Sequence, residues 1–590
     1  GPRWYTRNPQ HEEAPVGKRL TVGAIGLILA LGVLAQSDER PAAAKAPEGQ
    51  VGGLRFMDVA EVTVVNVDVS VTDSKRKPVR GLTTADFEVY QNGKLQQITN
   101  FAEYTRALPE TSNAPAPTAV PTVVPTEPPV ATGTEAPVRR DPRFVVLYVD
   151  NENIMPFNRN RVLTKVTSWV RENLQAPDQA MVVGYQRSLK VLQPFTTNPD
   201  DVVEALRAVR TYTGGRSEVN STRKDIEDFI YQNAEQGQNY DQAMDRVRSF
   251  AREQRSNLTF TVRAIQELIG MMSGLPGKKA IVYVSDGLPM NPGLELYYEI
   301  QERYRDPSAL TQSFEYEATG MFRSLVTSAT ASGVTFYTID ARGLEADLGI
   351  EAENRTARST VAAGVARTNY QDSLVYIAEQ TGGIAIINTN DVSGGLERIA
   401  DDLHSFYSLG YRLVPTGTDR MHRIEVKVKG HPEYKLNYRR NFIEKSLPTR
   451  IADRVMSGLA FDLEDNPLAI TITAGVPAPA SSGRWTLPVE TRVPIEKIAL
   501  IPDGDKLLGY IMVYYAARDD EGKQSDLQRV EHRVEIPQAE YEDARRKNYL
   551  VSSSLLLESG TYRISVGVRD QFTNQAGYAM IRRAVHPEQK

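Results

Sequence analysis

With 590 residues the chain is too long for one hydrophobic core, and about three or four domains are expected. A net charge of -5 argues against a nucleic-acid partner. Cysteine is absent, which removes disulfides, thiol catalysis, Cys-based zinc sites and lipid attachment at an N-terminal cysteine.

Residues 1–35 begin polar, reach Lys18-Arg19, and continue as an uncharged run from Leu20 to Ala35. A basic flank, a short apolar run and the small-residue ending Val33-Leu34-Ala35 predict a signal peptide, with Gln36 beginning the mature chain. The other reading is an uncleaved N-terminal anchor, with membrane association through residues 20–35. Either reading takes the protein to the periplasm, the cell envelope or the exterior. Residues 36–53 are rich in Ala, Pro, Gly, Glu and Lys and read as a spacer.

Residues 54–106 carry alternating segments, Val62 to Thr72, Asp86 to Tyr90 and Gln96 to Phe101, with a hairpin-type Asn92-Gly93 turn. They are too few for a closed core. Residues 107–140 form a Pro-rich linker with no means to build one. Residues 141–404 alternate strand and helix patterns. Strands are expected at 144–149, 180–185, 189–193, 279–285, 334–339 and 384–388, the second and third antiparallel at an edge. Helices are expected from Val162 to Leu174, from the Asn198 cap to Arg210, from Phe260 to Met272, from Ser324 to Ser332 and from Asp391 to Phe406. Residues 216–257, polar and with little apolar periodicity, read as a partly helical insertion near the crevice.

The run Phe144 to Val149 is almost wholly apolar, which fits a strand buried on both faces. It ends in Asp150-Asn151-Glu152-Asn153, and Lys279 to Gly287 repeats the design with Asp286. Open α/β sheets bind ligands at such strand ends, and two carboxylates meeting there suggest a hard cation.

Residues 405–445 hold three more alternating segments. They are expected to complete one β-sandwich with 54–106, the α/β unit being inserted between them. Lys427, Lys429, Lys435, Arg439 and Arg440 make a basic cluster there, which reads first as a solvated strand face. Residues 446–590 read as an all-β, immunoglobulin-like domain. The expected architecture is thus a doubly wound, Rossmann-like α/β domain flanked by all-β sandwiches.

Taken together, Leu275 to Gly287, Gly333 to Gly343, Thr381-Gly382-Gly383, Tyr407 to Tyr411 and the preceding Leu82 to Gly93 resemble the von Willebrand factor A-type (VWA) domain proteins exported by acidobacteria. The resemblance covers about residues 55–445. It implies protein-protein interaction of the adhesion type, at a metal-ion-dependent adhesion site holding Mg²⁺, Mn²⁺ or Ca²⁺. The family pattern maps onto Asp150 and Asp286. Its two serines fall on Glu152 and Ile154, so the hydroxyl pair is lost and Glu152 stands as a replacement oxygen. Ser217 or Thr213 would take the place of the family's threonine, and Arg216 would bring a positive charge to the same loop. Two readings stay open: a degenerate metal site at Asp150, Glu152, Asp286, Ser217 and Thr213, or a crevice that binds its partner without a metal.

Enzyme readings are not favoured. No histidine lies between His11 and His404, where the crevice residues are, and no nucleophile elbow, HExxH or P-loop occurs. The expectation is a non-enzymatic, exported interaction protein with a protein partner. The alternative is a structural subunit of an envelope complex with a non-functional metal site.

Overall fold

A computed structural model describes residues 3–6, 63–105, 142–234, 238–344, 359–413, 416–462 and 465–585. The apolar run of 20–35, the spacer and the Pro-rich linker lie outside the described residues, so the expectations placed on them are not addressed by it.

At the centre stands a six-stranded mixed sheet. Its strands in chain order are β1 (Phe144–Asp150), β2 (Gln179–Gln186), β3 (Ser188–Thr196), β4 (Lys279–Ser285), β5 (Val334–Asp340) and β6 (Ala385–Ile386). Their order in space is β6-β5-β4-β1-β2-β3. All neighbours are parallel except β2 and β3, which pair antiparallel at the edge.

The longer helices of this unit are α1 (Pro156–Asn173), α2 (Pro199–Val209), α3 (Arg216–Ala234), α4 (Tyr240–Met272), α5 (Leu294–Tyr304), α6 (Thr319–Ala331), α7 (Thr360–Thr381) and α8 (Ser393–His404). Side chains of a strand alternate between faces, and β1 is apolar from Phe144 to Val149 because both of its faces are covered. Val145, Leu147 and Val149 pack with α1, α2 and α8. Phe144, Val146 and Tyr148 pack with α4, α6 and α7. Leu147, 1% exposed, alone contributes about 2 kcal/mol of burial.

Two expectations are corrected. The stretch 216–257 is helical almost throughout, and α4 runs 33 residues from Tyr240. Its apolar residues are sparse but correctly spaced. Ile226 and Ile230 on α3 and Val247 and Phe250 on α4 close a satellite core against Leu296, Tyr297 and Ile300 of α5. The region after residue 446 is not all β, because it opens with a helix, Leu447–Gly458, capped by the Ser446 side chain. Ile451, Val455 and Leu459 of that segment pack on Tyr514 and Ala516.

Strands on either side of the central unit share sheets. Thr63–Thr72 pairs antiparallel with Phe406–Leu413, which also pairs with Ile98–Tyr104. Arg420–Val428 pairs with Phe87–Gln91. The two four-stranded sheets enclose one core containing Val67, Val89, Leu409 and Val426. The Asn92-Gly93 turn has φ of 50° and 79°, the doubly positive pair of a tight hairpin. Beyond residue 465, two antiparallel sheets face each other over a core that includes Leu487, Val513, Leu555 and Val566. Ala576–Val585 is the last described strand, and Arg3–Thr6 adds to the edge at Asn548–Leu557.

Candidate functional site

The chain leaves β1 on one side, for β2 and β3, and later fills the other side with β4, β5 and β6. The order therefore switches between β1 and β4, and the C-terminal ends of these strands flank the crevice where α/β sheets place ligands.

Asp150 ends β1 and is fully buried. The Asn153 amide donates to its Oδ1 at 3.1 Å, Asn153 Nδ2 donates to Oδ2 at 3.0 Å, and the Tyr283 hydroxyl also donates to Oδ2. Burial pushes its pKa up from 3.8 to about 6, against the pull of the Tyr283 and Asn153 donors.

Asp286 follows β4 and is 1% exposed. Its Oδ2 accepts from the Met155 amide at 2.8 Å and its Oδ1 from Asn158 Nδ2 at 3.1 Å. Burial raises its pKa to about 6 as well, opposed first by the Met155 amide and then by the charge of Arg216. The next residue, Gly287, has φ +92°, and a Cβ there would run into the Tyr370 carbonyl. Asn153 ties the two strand ends together, because its carbonyl accepts from the Asp286 amide at 2.9 Å and from Ser285 Oγ at 3.1 Å.

Three residues of the site, Asp340, Arg342 and Arg159, escaped the sequence reading. Asp340 ends β5, 1% exposed, in an ion pair with Arg342 at 3.0 Å and accepting from Gln371 Nε2 at 2.9 Å. It repeats the strand-then-aspartate design of Asp150, and that signal was available. Arg159, on the second turn of α1, is 1% exposed. Its guanidinium donates to Asn151 Oδ1 at 2.9 Å, the Tyr212 carbonyl at 2.8 Å and the Arg210 carbonyl at 2.7 Å, lacing the 210–215 loop to the end of β1. Arg216, anticipated as a charge near the site, lies 4.0 Å over the Tyr370 ring, and Arg342 lies 6.0 Å from the same ring. Of the three strand-end carboxylates, Asp286 feels the charge of Arg216 and Asp340 pairs with Arg342, whereas Asp150 is held by Tyr283 and Asn153.

The remaining candidates do not converge with Asp150 and Asp286. Glu152 is half-buried against Gly215 and raises the pKa of Asp150 by its charge. Thr213 is exposed, and its hydroxyl accepts from Gln186 Nε2 at 3.1 Å. Ser217 is exposed, with its hydroxyl 3.6 Å from Met155 Sδ. Ile154, at the second lost serine position, is fully buried. Among the described residues no group of three or more His, Asp or Glu side chains is placed to hold a metal ion. The aspartate oxygens accept amide and hydroxyl protons, the Thr213 and Ser217 hydroxyls contact Gln186 and Met155, and Arg216 brings positive charge toward Asp286.

No protein-family model matches the chain, and no curated protein does. Among solved structures it is similar to an aerotolerance-related membrane protein from Bacteroides fragilis, at 12% identity over 44% of this chain and 98% of that one, with a TM-score of 0.23. A von Willebrand factor type A protein from Catenulispora acidiphila is similar at 9% identity over 76% of this chain and 67% of that one, TM-score 0.20. Proximal thread matrix protein 1 from the mussel byssus is similar at 10% identity over 46% and 48%, TM-score 0.22. Likeness at these scores carries no argument. What the strand order and the site define is a mixed α/β sheet with a buried aspartate-arginine cluster at its switch point.

Proposed function

We propose that the protein is a non-catalytic, exported or envelope-located interaction protein, and that a protein partner docks at the β1–β4 crevice without a bridging cation. The aspartate-arginine cluster holds the crevice in shape. The observation that carries this reading is Phe157, 76% exposed. It stands in the first turn of α1, two residues after Met155, whose amide is clamped by Asp286. Burying such a ring in a partner's pocket contributes about 2 kcal/mol. A large side chain projecting from a rigid base is the kind of anchor on which interfaces depend. Export is supported by the basic flank and apolar run of residues 18–35.

The test is capture of the partner from the native envelope fraction, with wild type and Phe157→Ser, in Mg²⁺ and in EDTA. Capture should survive EDTA and fall about tenfold with Phe157→Ser at unchanged melting temperature. Loss of capture in EDTA, with Phe157→Ser behaving as wild type, would overturn the reading. A complex indifferent to both would favour the structural-subunit role.

A further inference from the structure

At the opposite end of β4 from Asp286, the base of the α/β sheet meets the β-sandwich, the helix Leu447–Gly458 and the C-terminal sheets. A cleft of about 770 Å³ opens at this junction. Its charge is one-sided: Lys279, Arg439, Lys445, Arg450 and Arg569 line it, against the carboxylate of Glu444.

Glu444 is already engaged. It accepts from the Gly417 amide at 3.3 Å and from Thr416, and it pairs with His422 Nε2 at 3.0 Å. Lys445 is answered by Asp453. Lys279, Arg439 and Arg569 are not so answered. Lys279 is 9% exposed, and its Nζ donates to the Leu275 carbonyl at 2.9 Å. Arg439 Nη2 donates to the Asn66 carbonyl at 2.8 Å. Arg569 Nε is buried with no hydrogen-bond partner. Among the described residues none of these three forms an ion pair. The charges of Arg439 and Lys445 are the largest influences, after burial, pushing Lys279 down to about 8.

The neighbouring cavity, about 520 Å³, shares Lys279 and Arg439 and makes the contrast clear. There Arg143 pairs with Asp178, and Lys278 donates to the Asp402 carbonyl at 2.8 Å, so the two cations that belong to that cavity alone are met. The C-termini of α4 and α6 also reach the larger cleft, at Ser273 and Ser332. Their partial charges, about half a unit each, are smaller than three full cations.

Gathering unpaired cations without an anion is costly, and part of that cost is recovered when an anion enters. We propose that this junction is a binding site for a phosphate-bearing ligand, seated between Lys279, Arg439 and Arg569. Phosphate offers more acceptor oxygens than a carboxylate, and guanidinium forks match it in pairs. The cleft volume suits a ligand larger than inorganic phosphate, such as a phosphorylated sugar or a lipid headgroup.

The full chain would be titrated at pH 7 and constant ionic strength with inorganic phosphate, pyrophosphate and citrate, read by calorimetry and by melting temperature against chloride. Phosphate and pyrophosphate should bind and raise the melting temperature. Arg569→Gln and Arg439→Gln should each weaken binding about tenfold. Arg569→Lys should retain most of it, and Arg207→Gln, on the exposed face of α2, should change nothing. Should Arg439→Gln fail to fold, Arg569→Gln decides, because the Arg569 side chain makes no described hydrogen bond to lose. Sedimentation with phosphatidylcholine vesicles, with and without phosphatidic acid, separates the sources: binding only to the latter assigns a lipid headgroup, binding to free phosphate a soluble ligand. An equal response to phosphate and chloride with no vesicle binding overturns the proposal. So does citrate binding without phosphate binding, or an Arg569→Gln protein that binds as wild type.

Discussion

Replacing Asp150 by Asn should stabilise the protein at neutral and alkaline pH. The carboxyl is fully buried, and its folded pKa is about 6 against 3.8 in the unfolded chain. A raised folded pKa means that the folded state binds more protons between those values. The stability tied to Asp150 is therefore fully present below pH 3.8 and is lost as pH rises through about 6. Above pH 7 the ionised side chain costs about 3 kcal/mol relative to the neutral form, at about 1.36 kcal/mol per pKa unit. Asn approximates the neutral form in shape. Its Oδ1 can still accept from the Asn153 amide, and its Nδ2 can donate to the Tyr283 oxygen that now faces Asp150 Oδ2. Lost bonding to Asn153 Nδ2 returns about 1 kcal/mol, leaving a net gain of about 2 kcal/mol at pH 8 and almost none at pH 4. Urea unfolding of both proteins at pH 4.5, 6 and 8 measures the difference. An Asp150→Asn protein that is less stable at pH 8, or whose difference does not grow with pH, would refute the reasoning and return Asp150 to a charge-dependent role such as metal ligation.

Other expectations are simpler to check. Added Mg²⁺, Mn²⁺ or EDTA should leave the wild-type melting temperature unchanged; a bound cation would instead add about 2.7 kcal/mol at a hundredfold excess over its Kd. Gly287→Ala should cost at least 2 kcal/mol by urea unfolding, because φ is +92° and the new Cβ meets the Tyr370 carbonyl. Arg159→Met should cost about 3–5 kcal/mol, since it strands the Asn151 side chain and the Tyr212 and Arg210 carbonyls that the guanidinium now serves. N-terminal sequencing of the mature protein should begin at or near Gln36; full-length protein in the soluble cytoplasmic fraction would rule out export.

What the residues disclose in sequence depends on how local the physics is. β1 is legible because being covered on both faces favours apolar residues from Phe144 to Val149, and β4 repeats the constraint from Ala280 to Val284. The Asn92-Gly93 turn is legible because only such residues adopt two consecutive positive φ angles without strain. The first half of α4 was harder to read, since Ala243, Met244, Val247, Phe250 and Ala251 carry the helical spacing within a heavily charged segment. The helix at Leu447–Gly458 shows Ile451, Val455 and Leu459 four apart after a Ser446 cap, yet it is short and sits among strand patterns.

The site divides along the same line. Asp150 and Asp286 stand out because each interrupts an apolar strand. What surrounds them is set by partners distant in sequence. Asp286 is held by Met155, 131 residues away, and Tyr283 reaches Asp150 across 133. Nothing local marks Arg159 as the cation that sinks into the site rather than snorkelling from α1, because the acceptors that permit it, Asn151, Arg210 and Tyr212, are brought to it only by the finished sheet. A pair of strand-end aspartates read from sequence therefore defines a place where charge must be balanced. How it is balanced is decided by the loops, which here bring the Asn153 and Tyr283 donors to Asp150 and the Met155 amide, Asn158 and Arg216 to Asp286.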